Sequence, residues 1–209
     1  SVIWVPSEKE FSKIGIDVES LQKLKLTSLG DFNPENPMIA SGRRVRIRGT
    51  VLRKESGKWV IGGTTKFRGY VSTNGTEWKA IAPSVDIPMH ESALKGLLVS
   101  ASEPDHLAVA QFDSVTGLDS SARDMEIAFD NPTGKTIVQP DGKIIVRGGG
   151  LGLGSILERI HLYGEPLSDK TEIAARITDL QSHNSESLAG IMMRDATNGQ
   201  SSFVSLTLN

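Results

Sequence analysis

The sequence predicts an all-β fold, two antiparallel sheets packed as a sandwich, on three observations. From Arg43 onward, segment after segment alternates apolar and polar residues with period two. Glycine is abundant at 21 residues while aromatics make up only 5%, the composition of many short strands joined by tight turns. Almost nothing beyond residue 42 carries the period of a long helix.

Composition bounds the function classes. A chain of 209 residues suits one sandwich, alone or with an extension. At this size roughly 70% of the unfolded surface can be buried, so folding needs no staple. The net charge of −2 is too near zero to imply a polyanion or a membrane surface as partner. Cysteine is absent, which excludes disulfides, thiolate metal sites and a cysteine nucleophile. No apolar run approaches the roughly 18 residues of a spanning helix, and the sequence predicts a soluble protein. Opening on Ser1-Val2-Ile3-Trp4 without an initiator Met fits a processed or excised product.

Residues 1–42 are expected to form a mixed extension. Ser7 can cap a turn with Glu10 as its capping-box partner. Asp17 can cap a second short helix that places Leu21 and Leu24 on one side. Asn33-Pro34-Glu35-Asn36-Pro37 then stops regular structure, because proline removes a donor and restricts its predecessor. Next comes a strand in which Arg44, Arg46 and Arg48 alternate with Val45, Ile47 and Gly49, one face wet and one buried. Strands are predicted at 58–61 and 66–72, with Asn74-Gly75 as a type I′ hairpin turn and Trp78 folding back over it. Two more are predicted at 94–102 and 107–115, then a polar link at 116–123. Further strands are predicted at 126–129, 135–138, 143–147, 160–163, 171–180, 187–194 and 201–208, with Asp141-Gly142 as a turn.

Two stretches carry a family resemblance. Phe67-Arg68-Gly69-Tyr70-Val71-Ser72-Thr73-Asn74-Gly75-Thr76-Glu77-Trp78, with Gly96–Ser102 and Ala108–Val115, is similar to the C-terminal half of the concanavalin-A-like jelly roll of the regulation-of-enolase type. That family is found in bacterial secreted and surface proteins. Ala174–Leu180 and Ala189–Asp195 resemble its N-terminal half, so residues 43–118 and 124–209 match the two halves in reversed order. The resemblance implies a jelly-roll sandwich of concanavalin-A-like or laminin-G-like type over 43–209. A circular permutation is the simplest account, because each half alone would expose sheet edges and half a core; a slice of a tandem array and a complementing half-domain are the others.

The motifs are weighed on chemistry. Ser72–Trp78 resembles the Asp-box turn of sialidases, where the residues mostly stabilise a hairpin; Tyr70, Trp78 and Arg68 are nevertheless the candidate ligand-binding set, since aromatic faces can stack on sugars. Arg44, Arg46 and Arg48, with Trp4 of the extension, are the candidate partner contacts. The arginine segment also resembles the first strand of oligonucleotide-binding barrels, but it lacks interleaved surface aromatics, so no nucleic acid is expected. Asp124 and Glu126 share a strand face, as glycosidase carboxylates do, and Asp130 would join them on a longer strand; the usual spacing is not met, and no catalytic residue is assigned. The glycine run 148–154 lacks the following helix of a phosphate loop. His90, His106, His161 and His183 have no ligand spacing and are expected as isolated surface residues. Asp113, Asp119, Asp124 and Asp130 leave calcium possible without an ordered oxygen-ligand motif; no other metal or cofactor is expected.

The resemblance implies a non-catalytic, extracytoplasmic module (periplasmic, cell-surface or secreted) that contacts other protein chains of a larger assembly. A lectin-like glycan-binding domain is the alternative, and a glycoside hydrolase the rival from another class.

Overall fold

The computed structural model describes residues 2–4, 44–51, 54–55, 58–59, 63–81, 83–89, 93–127, 134–153, 158–167, 172–198 and 201–208. Among these residues there is no helix, and two antiparallel sheets form the sandwich. The first strands are β1 (Val2–Trp4), β2 (Arg44–Val51), β3 (Lys54–Glu55), β4 (Lys58–Trp59), β5 (Gly63–Ser72) and β6 (Lys79–Ala80). Then come β7 (Val85–Met89), β8 (Leu94–Ser100), β9 (Glu103–Thr116), β10 (Arg123–Ile127) and β11 (Lys135–Val138). The chain continues with β12 (Ile144–Gly150), β13 (Ile160–Pro166), β14 (Glu172–Gln181), β15 (Leu188–Arg194) and β16 (Phe203–Leu208). One sheet has six strands, in the order β1-β16-β15-β8-β13-β10. The other has eight, in the order β11-β12-β9-β14-β2-β5-β6, with β7 also paired to β5. β3 and β4 form a separate small hairpin.

Alternation decides what goes inside. Val45 and Ile47 of β2, Phe67 of β5, Ala110 and Phe112 of β9, and Ile173 and Ile177 of β14 share one buried cluster with Leu97, Val99, Ile191, Met193, Val204 and Leu206 of the six-stranded sheet. Burying each large aliphatic or phenyl side chain contributes about 1.5–3 kcal/mol, so this interior is the main source of stability. The six-stranded sheet is also buried on its other face, where Leu94, Leu98, Ile127, Ile160, Leu162, Met192 and Phe203 form a second cluster. That explains why Leu94–Ser100 shows no alternation: every one of its residues is buried. A strand covered on both faces reads as a continuous apolar run.

Early and late parts of the chain interleave in both sheets. β14 lies between β9 and β2, and β8 lies between β13 and β15. Glu172–Arg176 pairs with Arg44–Arg48 across more than a hundred residues of sequence. The two stretches that resemble half-domains therefore enclose one interior.

Two local expectations change. Gly75 has φ +81°, but Asn74 is not among the residues with positive φ, so the turn is not type I′. Instead the Asn74 side chain organises a longer loop, accepting the backbone N–H groups of Thr76 at 3.0 Å and Glu77 at 2.9 Å. This is the local capping chemistry by which Asn competes with regular structure. The helices expected within residues 7–25 and the proline stop at 33–37 lie outside the described residues. Within the extension, Val2–Trp4 is a strand on the edge of the six-stranded sheet, paired with β16.

Candidate functional site

The outer face of the eight-stranded sheet gathers the candidate ligand-binding side chains and, apart from Trp4, the candidate partner contacts. Val45, Ile47 and Phe67 point inward, so Arg44, Arg46 and Arg48 of β2 and Arg68 and Tyr70 of β5 lie on the opposite face. The register fixes their neighbours. Arg48 stands between Arg68 and Glu172, Arg46 between Tyr70 and Ala174, and Arg44 between Ser72 and Arg176. Trp78 joins them from the loop after β5: the Arg46 guanidinium carbon lies 3.8 Å from the centre of its ring. Trp4 is on the far sheet, as part of the β1 edge strand, and its side chain lies outside the described residues.

The loop that delivers Trp78 is pinned at several points. The Ser72 hydroxyl accepts the Gly75 N–H at 2.8 Å, and Trp78 Nε1 donates to the Gly75 carbonyl at 3.1 Å. Trp78 is half-buried here rather than part of the core. Its ring is already occupied by Arg46, which removes one face from stacking on a sugar.

Two carboxylates partly balance this face. Arg48 Nε donates to Glu172 at 2.6 Å, and the other Glu172 oxygen stands 3.5 Å from Arg46 Nε. Glu172 raises the pKa of Arg48 through that hydrogen bond and its charge. Arg176 grips Asp113 with two parallel N–H bonds, one from Nε at 2.7 Å. Burial works against the charged form of Asp113, but the bonds from Arg176 and Ser114 hold its pKa below the usual value.

The balance is incomplete. Arg48 faces Arg68, and Arg44 faces Arg176, directly across neighbouring strands. Like charges directly opposite one another destabilise a sheet. Arg68 is exposed and has no ion pair among the described residues. Arg46 Nε is buried without a hydrogen-bond partner, because at 3.5 Å Glu172 attracts it but is not aligned to accept. An unmet buried donor costs about 1–3 kcal/mol. Folding alone would favour threonine or glutamine at these positions.

The Asp124–Glu126 pair has a different role from the one its spacing suggests. Both carboxylates lie at the rim of the sandwich, Asp124 exposed and Glu126 partly so, and His161, with no exposed surface, lies between them. His161 Nδ1 is 2.7 Å from Glu126 and Nε2 is 3.0 Å from Asp124. A carboxylate beside each nitrogen favours the doubly protonated ring, the form in which both nitrogens donate. Burial alone would favour the neutral ring, but the bonds and charges of Glu126 and Asp124 raise its pKa. Burial also opposes ionisation of Asp124, and bonds from Thr136 and His161 override it, leaving its pKa lowered.

The same carboxylates accept backbone N–H groups at β11: Gly134 N donates to Glu126 at 2.7 Å and Thr136 N to Asp124 at 3.2 Å. β10 is an edge of one sheet and β11 an edge of the other. The cluster therefore laces two rims together. Glycine makes the room, since a Cβ on Gly134 would stand 2.3 Å from the imidazole and one on Gly148 would stand 2.8 Å from the His161 Cβ. His161 is thus not the surface residue expected, and a side chain occupies the space where a scissile glycosidic bond would need to sit.

Other charged groups are also engaged. His106 lies 3.0 Å from Glu103 and edge-on to His183 at 5.7 Å between ring centres. Asp119 accepts the Ser121 N–H at 2.7 Å. His90 and Asp130 lie outside the described residues. Among the described residues no group of three or more His, Cys, Asp or Glu side chains is arranged to hold a metal ion. No helix there is long and apolar enough to cross a membrane. Sequence reasoning missed Glu172 and Arg176, named Asp113 only as a possible calcium ligand, and missed the buried pairs Lys95–Glu165 at 3.2 Å and Arg194–Glu158 at 2.8 Å.

No family model matches this chain, and no curated protein or solved structure matches it.

Proposed function

We propose that this protein is a non-catalytic module of concanavalin-A-like jelly-roll type that works outside the cytoplasm and docks onto another protein chain through the outer face of its eight-stranded sheet. The jelly-roll type and the compartment rest on the motifs around 67–78, 96–115, 174–180 and 189–195. The two-sheet antiparallel arrangement is compatible with them. The observation that carries the docking reading is the convergence of Arg44, Arg46, Arg48, Arg68, Tyr70 and Trp78 on one sheet face, whose positive charge Glu172 and Asp113 balance only in part. Arginine, tyrosine and tryptophan are the residues that concentrate binding energy at protein interfaces.

The glycan and glycosidase readings are less favoured by the same geometry. Arg46 covers one face of Trp78, and His161 stands between the carboxylates a hydrolase would use. Hydroxyl-radical footprinting of the chain in its native cell extract and after isolation tests the proposal. Tyr70 and Trp78 should be protected several-fold in the extract and become reactive on isolation. Equal reactivity in both states would exclude this face as the docking surface.

A further inference from the structure

Resting on that docking reading, we infer that the arginine face selects carboxylate side chains: its partner presents an acidic, extended polypeptide segment that lies across β2 and β5. Charge complementarity leads to this occupant. Arg68 is exposed without an ion pair among the described residues, and it stands directly opposite Arg48 in the register. A carboxylate placed between them meets two guanidinium groups at once, as Glu172 on this face already stands between Arg48 and Arg46. Arg44 continues the arginine row further along β2, on the line such a segment would follow.

Glu172 connects this recognition to the rest of the face. It is divided between Arg48, at 2.6 Å, and Arg46, whose buried Nε it approaches at 3.5 Å without a hydrogen bond. An arriving carboxylate that takes over Arg48 releases Glu172 to close on Arg46. The unmet donor is then satisfied, so the partner relieves the repulsion across the strands and completes the internal hydrogen bonding together. In the isolated chain Glu172 competes with the partner for Arg48.

This competition makes the test specific. The full chain is titrated at low ionic strength with a poly-glutamate peptide, with poly-lysine, heparin and a neutral oligosaccharide as comparison probes. Saturable binding to poly-glutamate is expected, weakened at least tenfold by Arg68→Glu. Arg147→Glu, the same charge change at an exposed residue of β12 three strands from β2, should alter affinity by less than twofold. Glu172→Gln should tighten binding several-fold, while Glu77→Gln, an equal change on the exposed loop, should not.

Equal losses from Arg68→Glu and Arg147→Glu would reduce the effect to general attraction and overturn the inference. Equal gains from Glu172→Gln and Glu77→Gln would remove the competition. Tighter binding of heparin than of poly-glutamate would reassign the face to sulfated glycans. Native protection of Tyr70 and Trp78 with no affinity for poly-glutamate would leave the docking surface standing and this inference refuted. Unchanged melting temperatures of the variants establish that they fold.

Discussion

Trp78 shows how one residue's role depends on what it touches. Placed in a core, a tryptophan truncated to alanine loses about 3–5 kcal/mol. Here it is half-buried, stacked on Arg46 and tied to the Gly75 carbonyl. Trp78→Ala should therefore cost only about 1–2 kcal/mol, a cation–π contact and some packing, measured as a shift in the denaturant midpoint. Gly148 is the opposite case, a residue with no side chain and a large effect. A Cβ there would meet the Val99 carbonyl oxygen at 2.5 Å and the His161 Cβ at 2.8 Å. Backbone cannot step aside as a flexible side chain can, so Gly148→Ala should destabilise by about 1–3 kcal/mol, visible in the same measurement. In the sequence Gly148 is one glycine in a run that invites comparison with a phosphate loop. Its role follows from a histidine 13 positions away, which no local pattern discloses.

At the scale of elements, the lacing of β10 to β11 predicts a pH profile with two limbs. His161 has its pKa raised by folding. Its contribution is fully present below the unfolded value of about 6.5 and is lost as pH rises through the folded value. Asp124 and Asp113 have theirs lowered. Their contribution is complete above the unfolded value of about 3.9 and is lost as pH falls through the folded values. Stability should therefore be greatest between roughly pH 4 and 6.5. His161→Gln, read by thermal unfolding across pH, should lower that maximum and flatten the alkaline limb. A wild-type alkaline limb that persists unchanged in the variant would show that His161 does not titrate this way.

Most of the strands were legible, although β1, β3, β6 and β7 were not predicted. β2, β5, β9, β12 and β14 announce themselves by alternation, and the sequence assigned Arg44, Arg46 and Arg48 to one face. What sets their charge state was not legible: Glu172 is 124 residues from Arg48 and Arg176 is 63 from Asp113. Cross-strand partners at such separations depend on sheet order, which period-two patterning leaves open. The same limit hid His161. Its strand was predicted, but the carboxylates that share its charge arrive from β10.

For the whole molecule, the interleaving of early and late strands makes folding a matter of long-range pairing. β2 cannot complete its ladder until β14 is made, and β8 needs both β13 and β15. Loop-closure entropy must be met before such contacts stabilise anything, so folding should take milliseconds to seconds, measurable by stopped-flow fluorescence. Fragments 1–118 and 119–209, made separately, should each lack a cooperative thermal transition and regain one on mixing. A sharp transition in either fragment alone would show that the two parts hold independent cores.

Among the described residues, the six-stranded sheet is buried on both of its faces. The broad wetted plane among them therefore belongs to the other sheet, which is the face the proposed docking uses. If the proposed docking holds, the layer that this face builds with its partner is one sheet deep on that side.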